Sequence, residues 1–139
     1  MATYTKFNAT VADLCNKVHN LGSDTLKIML TNTLPLATNA VKADITEISA
    51  GGGYTAGGVT VTGVTSTQTS GIYKLVSSAD PVLTASGTLG PFRYAVLYNS
   101  TAASGNLIAW WDRGSSATLA SSDTFTFDLD QTNGIFQLT

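Results

Sequence analysis

One segment near the start of the chain has the hydrophobic repeat of an amphipathic helix. Successive spacings of four, three, four and three residues separate its apolar positions, which are Phe7, Val11, Leu14, Val18 and Leu21. The opposite side of the same helical wheel is polar, and Gly22 follows where a left-handed C-cap is expected. The pattern predicts a helix over about residues 8–20. Its apolar stripe has to pack against the rest of the subunit or against a neighbouring protein.

After Gly22 the apolar residues alternate with a period of two, which is typical of half-buried strands. Leu26, Ile28 and Leu30 share one face of the first predicted strand, and the run from Val59 alternates valine with threonine. Further strands are predicted at residues 72–77, 82–85, 92–98, 107–111, 125–129 and 135–138. Residues 36–50 fit either a short helical turn or an irregular strand.

Seven or eight short strands, separated by glycine, proline and asparagine, indicate an all-β fold. We expect an antiparallel β-sandwich or a barrel-like domain with one N-terminal α-helix. No helical pattern separates the strands, so a parallel α/β sheet is disfavoured. The chain of 139 residues is predicted to be one domain, with 1–22 as an N-terminal arm or helix and 23–139 as the β-domain.

Aromatic residues on two predicted strands give the sharpest prediction about faces. Strand periodicity places Phe92, Tyr94, Val96 and Tyr98 on one face of their strand. The adjacent Trp110 and Trp111 must then point to opposite faces, so that one indole enters the core and the other points outward. An outward tryptophan packs under a loop, lies in a protein interface, or stacks on a sugar. The pattern leaves these three uses open.

Composition excludes several classes of protein. Only 12% of the residues are charged and the net charge is −2, which does not suit a nucleic-acid-binding protein. No run approaches the roughly 18 apolar residues that cross a bilayer, so no membrane role is expected. Cys15 is the single cysteine, and no signal-peptide pattern is recognised at the N-terminus. We therefore expect a protein that folds in a reducing cytoplasm.

Three features invite a catalytic or ligand-binding interpretation. The glycine-rich run 51–58 resembles a degenerate dinucleotide fingerprint, but alternating β-branched residues follow it, so a plain connection is favoured. His19 is the single histidine, and near a helix C-terminus we expect it to interact with the last carbonyls. Asp128 and Asp130 are predicted to share a strand face, with Asp112 and Asp123 possible neighbours. Solvated carboxylates or an intersubunit salt bridge are favoured over calcium binding or acid–base chemistry.

From these residues we predict no catalytic residue, no cofactor and no metal site, and we do not expect an enzyme. One histidine and one cysteine are too few for a usual zinc site. Nothing resembling a nucleophile elbow surrounds any serine.

Several blocks of the chain together resemble a family of structural proteins of tailed bacteriophages. The blocks are residues 19–27, 30–35, 42–48, 53–58, 90–99 and 108–116, the last including Ile108-Ala109-Trp110-Trp111-Asp112. In that family an acidic residue commonly follows the second tryptophan, as Asp112 does here. The resemblance covers nearly the whole chain. It implies a virion component, in particular a capsid decoration (cement) protein that binds the major capsid protein and other virion proteins as a homo-oligomer. The alternative is a tail- or fibre-associated module that contacts a host-surface glycan.

Two parts of the chain are the candidate partner contacts for such a role. The first is the N-terminal segment, represented by Phe7, Val11, Leu14 and Val18. The second is an aromatic patch formed by Tyr98, Trp110 and Trp111. Both are apolar, as the centres of protein interfaces are.

Overall fold

The structure is a computed structural model that describes residues 3–139, so the first two residues of the predicted N-terminal arm lie outside it. Strands make up 45% of the chain and helix 7%, which confirms the all-β class with one short N-terminal helix. The helix α1 is Ala9–Cys15, and a 3₁₀ turn is Lys42–Asp44. The strands are β1 (Thr3–Lys6), β2 (Leu26–Thr31), β3 (Val59–Thr60), β4 (Val64–Thr69), β5 (Ile72–Ser77), β6 (Val82–Thr84), β7 (Leu89–Asn99), β8 (Leu107–Leu119), β9 (Thr124–Thr126) and β10 (Phe136–Leu138).

These strands form three antiparallel sheets. The largest has five strands in the order β1-β8-β7-β2-β3, the second has the order β10-β5-β4, and the third pairs β6 with β9. The sheets are not closed on themselves, so the described chain is a set of packed open sheets and not a barrel.

The main hydrophobic core lies where one face of the five-stranded sheet meets the two smaller sheets. The large sheet contributes Leu26, Ile28 and Leu30 on β2 and Leu97 on β7. Leu75 and Phe136 of the three-stranded sheet and Leu83 of β6 belong to the same cluster. The alternation that predicted β2 therefore identified its core face correctly.

A second, smaller cluster covers the other face of the five-stranded sheet. Its buried members are Phe7, Met29, Tyr94, Val96, Tyr98, Leu107 and Trp110. The rings of Phe7 and Trp110 lie with centroids 4.5 Å apart. The segment before α1 thus closes a face of the sheet that would otherwise meet solvent.

The predicted helix over residues 8–20 is wrong in its length, because α1 ends at Cys15. Lys17 adopts a left-handed backbone with φ 65°, two residues after the helix. The N–H of Val18 donates to the carbonyl of Asp13 at 2.8 Å, and that of Lys17 to Leu14 at 3.3 Å. This is a Schellman ending with lysine where glycine is usual. The apolar spacing continues through Val18 and Leu21, beyond the residue at which the helix ends, and no sequence signal marks that end.

The N-terminal segment is part of the β-domain and not an arm beside it. Strand β1, which was not predicted, pairs with β8 in the register Thr3 to Asp112. The helix buries Thr10, whose hydroxyl donates to the carbonyls of Leu107 at 3.2 Å and Ile108 at 2.8 Å. The expected division into 1–22 and 23–139 therefore does not describe how residues 3–22 pack.

The prediction that Phe92 shares a face with Tyr94 is wrong. Phe92 belongs to the main core, whereas Tyr94 belongs to the smaller cluster. The β7–β8 register shifts between these two residues: Phe92 pairs with Ala117 and Tyr94 with Asp112. A bulge of this kind breaks the period of two on which the prediction rested.

Other boundaries also differ: the strand predicted at 107–111 extends to Leu119 in β8. The predicted strand at 125–129 is the shorter β9, and residues 36–50 contain both the 3₁₀ turn and an isolated bridge from Thr31 to Glu47. Across residues 3–139 no helix has the length and apolar character needed to cross a membrane.

Candidate functional site

One concave feature with a possible binding role is a cleft of about 480 Å³ between the five-stranded sheet and the segment that contains β9. We call it the Trp111 cleft. Its apolar lining comes from Ile28, Leu30, Phe92, Ala95, Trp111, Phe125, Phe127 and Leu129. Its charged lining comes from Arg93, Asp112, Arg113 and Asp128. An apolar concavity with a few charged groups is the usual form of a small-molecule site.

One wall of the Trp111 cleft is a run of aromatic rings. Phe125 lies edge-on to Phe92 and to Phe127, with ring centroids 5.0 Å apart in both pairs. The bulge near Phe92 turns that ring towards β9, and the short strand β9 supplies Phe125. Edge-to-face packing fixes these rings, so this wall is preorganised.

Trp111 is half-buried and packs against the main core, while Trp110 is buried in the smaller cluster. The prediction that the two indoles lie on opposite faces is therefore confirmed, but the expectation that one of them points outward is wrong, because Trp111 packs against the main core. Tyr4 of β1 lies edge-on to Trp111 at 5.5 Å. Partial burial at this position raises the pKa of Tyr4 to about 12, so its hydroxyl stays protonated at neutral pH.

Arg93 and Asp112 form a bidentate ion pair in the lining of the cleft. Arg93 Nε donates to Asp112 Oδ1 at 2.8 Å and Nη2 donates to Oδ2 at 2.9 Å. The Arg93 hydrogen bonds, helped by the N–H of Gly114, hold the pKa of Asp112 below its usual value. Both side chains keep about a third of their surface exposed. The pair can therefore offer charged hydrogen-bonding groups to a polar ligand beside the Trp111 ring.

The glycine-rich run 51–58 is a packed connection, as expected, and lies against β2. A Cβ added to Gly58 would come within 2.0 Å of the Ile28 carbonyl oxygen, so this approach requires glycine. Tyr54 is buried there: its hydroxyl accepts from the N–H of Leu30 at 3.0 Å and donates to Glu47 at 2.6 Å. These contacts hold the run against β2 and serve the fold.

A second candidate surface is apolar and exposed. Val11 on α1 is 49% exposed, and Leu34 and Leu36, in the loop after β2, are each 57% exposed. The N–H of Asn8 donates to the carbonyl of Ala37 at 2.9 Å, which ties this loop to the start of the helix. We call Val11, Leu34 and Leu36 the N-terminal apolar surface. When a partner protein covers leucine and valine side chains that are this exposed, the free energy falls, because apolar surface is removed from water.

The structure separates the predicted contact residues into surface and interior. Val11 and Val18 are exposed, and Leu14 is half-buried against the main core. Phe7 is fully buried, so the fold would have to open for it to touch a partner.

The predicted aromatic patch of Tyr98, Trp110 and Trp111 does not exist as one surface. Tyr98 and Trp110 are buried in the smaller cluster, and the Tyr98 hydroxyl donates to the Gly57 carbonyl at 2.7 Å. Only Trp111 retains partial exposure, on the opposite face of the sheet. The alternation that separates the two indoles also prevents a joint patch.

His19 is not at the helix C-terminus as expected, because the helix ends four residues earlier. It is buried, with Nδ1 3.1 Å from Nδ2 of Asn99, the last residue of β7. Its Nε2 is buried without a hydrogen bond, 3.9 Å from the Asp13 carboxylate. Burial lowers the pKa of His19, and the charges of Asp13 and Asp24 offset this only in part.

Three of the four aspartates considered for calcium or acid–base chemistry, Asp112, Asp123 and Asp130, accept hydrogen bonds from nearby groups. Asp130 Oδ1 accepts from the N–H groups of Thr132 and Asn133, and Asp123 accepts from that of Ala120. Asp128 lies past β9, not on a strand face shared with Asp130. In the described part of the chain no three histidine, cysteine or acidic side chains come together in a way that could hold a metal ion.

Sequence reasoning missed the Arg93–Asp112 pair and the contribution of Phe125 and Phe127 to a cleft. Arg93 and Asp112 meet only because of the shifted register between β7 and β8, which no local pattern encodes. The alternation of Phe125, Phe127 and Leu129 was a usable signal for a common face, though it did not say what that face meets.

Comparisons of the chain with protein-family models, with curated proteins and with solved structures find no match.

Proposed function

We propose that this chain is a structural protein of a tailed-bacteriophage virion, most specifically a capsid decoration (cement) protein that binds and stabilises the lattice of the major capsid protein. The proposal rests on the block-by-block resemblance described above. The structural observation that carries it is the N-terminal apolar surface, where Leu34 and Leu36 are each 57% exposed. Exposed leucines on a chain with few charged residues are typical of a surface that another protein covers.

A decoration protein of this kind stabilises the shell only if it binds the assembled lattice more tightly than free subunits. The N-terminal apolar surface is suited to this because it is held on the fold. Thr10 fixes α1 to β8, and the hydrogen bond from Asn8 to Ala37 fixes the loop beside it. A surface that is ordered before binding loses little conformational entropy on binding. The role needs no catalytic residue, cofactor or metal.

Binding to capsids that lack the protein tests the proposal. The double variant Leu34→Asp/Leu36→Asp should lower the affinity for purified heads by at least about tenfold, since burying one leucine contributes about 1.5–3 kcal/mol and 1.4 kcal/mol is tenfold. The matched control is Val82→Asp/Leu138→Asp, because these two residues are 54% and 57% exposed on the two smaller sheets. Equal binding by wild type and the Leu34/Leu36 variant would contradict the proposed surface.

A second candidate function is recognition of a host-surface glycan by a tail- or fibre-associated module. The Trp111 cleft favours it, because a half-buried indole lies beside the Arg93–Asp112 pair. An aromatic face and charged hydrogen-bonding groups together suit a sugar ring and its hydroxyls.

The glycan alternative predicts that a sugar changes the tryptophan fluorescence and that Trp111→Ala abolishes the change while Trp111→Phe retains part of the binding. A glycan array identifies the sugar. Electron microscopy of tagged virions then separates the two roles, because a label over the whole head supports decoration and a label confined to the tail supports the alternative.

A further inference from the structure

Strand β4 is the longest strand at a sheet edge among the residues described. Its edge position follows from the order β10-β5-β4, and it has six residues. The other edge strands are shorter: β1 has four residues, β3 has two, and β6, β9 and β10 have three each. An edge of this length is a template for another strand.

The edge of β4 carries none of the features by which proteins usually prevent such pairing. Its sequence is Val64-Thr65-Ser66-Thr67-Gln68-Thr69, with no charge and no proline. Its register with β5 is continuous, without a bulge. Every residue after Val64 is exposed. Threonine-rich strands of this kind pair readily because β-branched side chains favour the extended backbone.

The turn into β5 determines which backbone groups point to the open edge. Ser70 and Gly71 both have positive φ, 51° and 82°, as in a two-residue type I′ hairpin. In such a hairpin the flanking residues, Thr69 and Ile72, exchange both hydrogen bonds. At the other end of the strand the N–H of Ser78 donates to the carbonyl of Gly63 at 3.0 Å. Gly63 is odd-numbered, like Thr69, so both ends of the strand show the same pattern of bonded residues.

The backbone N–H and C=O groups of the odd-numbered residues of β4 therefore bond to β5, and those of the even-numbered residues point away from β5. The N–H and C=O groups of Val64, Ser66 and Gln68 face the open edge. Within residues 3–139 these groups bond to no other segment. The edge thus presents three donors and three acceptors in a regular row.

We propose that β4 is the surface through which two copies of this chain pair, antiparallel, about a twofold axis at Ser66. In this register Val64 of one copy lies opposite Gln68 of the other, and Ser66 lies opposite itself. All the outward donors and acceptors are then satisfied in hydrogen-bonded pairs. The two three-stranded sheets become one continuous sheet of six strands. This pairing is independent of the proposed virion role.

A second copy fits this edge for reasons of symmetry and charge. The outward groups are arranged symmetrically about Ser66, so the edge is complementary to itself, as a twofold interface requires. Thr65 of one copy lies opposite Thr67 of the other, and threonine pairs across antiparallel strands are favourable. No charged side chain of β4 meets a like charge, which would oppose the pairing of identical strands.

Charge substitution at the threonine pair tests the proposal. Wild type should show a concentration-dependent dimer in sedimentation velocity. Thr65→Lys/Thr67→Lys should be monomeric, because lysines then face lysines across the axis, and Thr65→Glu/Thr67→Glu should be monomeric for the same reason. Mixing the two variants should restore a dimer, since each lysine then faces a glutamate. A wild type that stays monomeric at its highest soluble concentration overturns the proposal.

The control variant Thr118→Lys/Ser121→Lys adds the same charge at two exposed positions away from β4 and should keep the wild-type dimer. Restoration in the mixture also shows that the paired variants fold. A lysine variant that remains dimeric, or a mixture that remains monomeric, contradicts pairing through β4. Amide hydrogen exchange locates the contact: the amides of Val64, Ser66 and Gln68 should gain protection as the protein concentration rises.

Discussion

Strands β7 and β4 belong to the same domain, yet they differ in every contact that stabilises a strand. Strand β7 bonds to β8 on one edge and, over residues 94–99, to β2 on the other, and buried residues project from both of its faces. Strand β4 bonds only to β5, and five of its six residues are exposed. The β7 sequence is rich in large apolar residues, whereas β4 is nearly all threonine, serine and glutamine.

The difference indicates that the five-stranded sheet provides most of the stability of the fold, whereas the three-stranded sheet carries the edge that is free for association. The five-stranded sheet has three inner strands, β8, β7 and β2, that pair with a neighbour on both edges, and two clusters cover its faces. The three-stranded sheet contributes Leu75 and Phe136 to the main core and leaves an edge unpaired. Perturbing the cover of β7 should therefore unfold the protein, while perturbing β4 should change only what binds to it.

The largest effect should come from removing the ring that covers the second face of β7. Phe7→Ala leaves a cavity beside Trp110 and should lower the free energy of unfolding by about 3–5 kcal/mol. Val11→Ala is the matched control, because this exposed residue lies in the same segment and should change stability by less than about 0.5 kcal/mol. Urea denaturation measures both. Equal effects would mean that the N-terminal segment does not cover the sheet.

The next effect should come from the hydroxyl that fastens α1 to β8. Thr10→Val keeps the shape of the side chain but removes the donor to the carbonyls of Leu107 and Ile108, at a cost of about 1–3 kcal/mol in unfolding free energy. Thr10→Ser restores the donor and should recover most of the loss. Stability unchanged in Thr10→Val would show that these carbonyls are satisfied in another way.

Lowering the pH should destabilise the fold through His19, which contacts Asn99 at the end of β7. Unfolded His19 takes up a proton near pH 6.5, whereas burial lowers its pKa in the folded state. The unfolded state then binds more protons, so stability should decline as the pH falls below about 6.5, by at most about 1.4 kcal/mol per pH unit. The decline from this group ends once the pH is below the lowered folded pKa.

The variant His19→Gln lacks the titrating group and isolates its contribution. Unfolding curves at several pH values between neutral and mildly acidic conditions should lose that part of the slope in the variant. An unchanged slope would mean that His19 titrates alike in both states.

The smallest effect, one on local exchange and not on stability, should appear along β4. In dilute protein the amides of Thr65, Thr67 and Thr69 should exchange more slowly than those of Val64 and the other even-numbered residues, because only the odd ones bond to β5. Along residues 94–99 of β7, which are paired on both edges, no such alternation should occur. Uniform protection along β4 in dilute protein would show that its outer groups already have partners.

Alternation of apolar residues was enough to find the strands that face the core. The prediction for 72–77 coincides with β5, and that for the strand around Ile28 agrees with β2 to within a residue. Strand β4 was missed because both of its faces are polar, so its sequence shows no alternation of apolar and polar residues. A strand bonded through its backbone to one neighbour needs no apolar face.

Other features depend on contacts between distant parts of the chain. The left-handed Lys17 and the register shift after Phe92 are decided by tertiary packing, so the helix was predicted too long and one face of β7 was misassigned. The candidate cleft shares this dependence. Strand alternation was enough to place Trp111 on the face opposite to Trp110, but the Arg93–Asp112 pair required the register of two strands.

The pairing of β1 with β8 also has a consequence for the order of events during synthesis. Because Thr3 lies opposite Asp112, β1 leaves the ribosome well before its partner and stays unpaired until β8 has followed it. Closing so long a loop is slow compared with forming a hairpin such as β4–β5. The five-stranded sheet is therefore completed late in translation, and Phe7 is expected to remain in contact with water until that step.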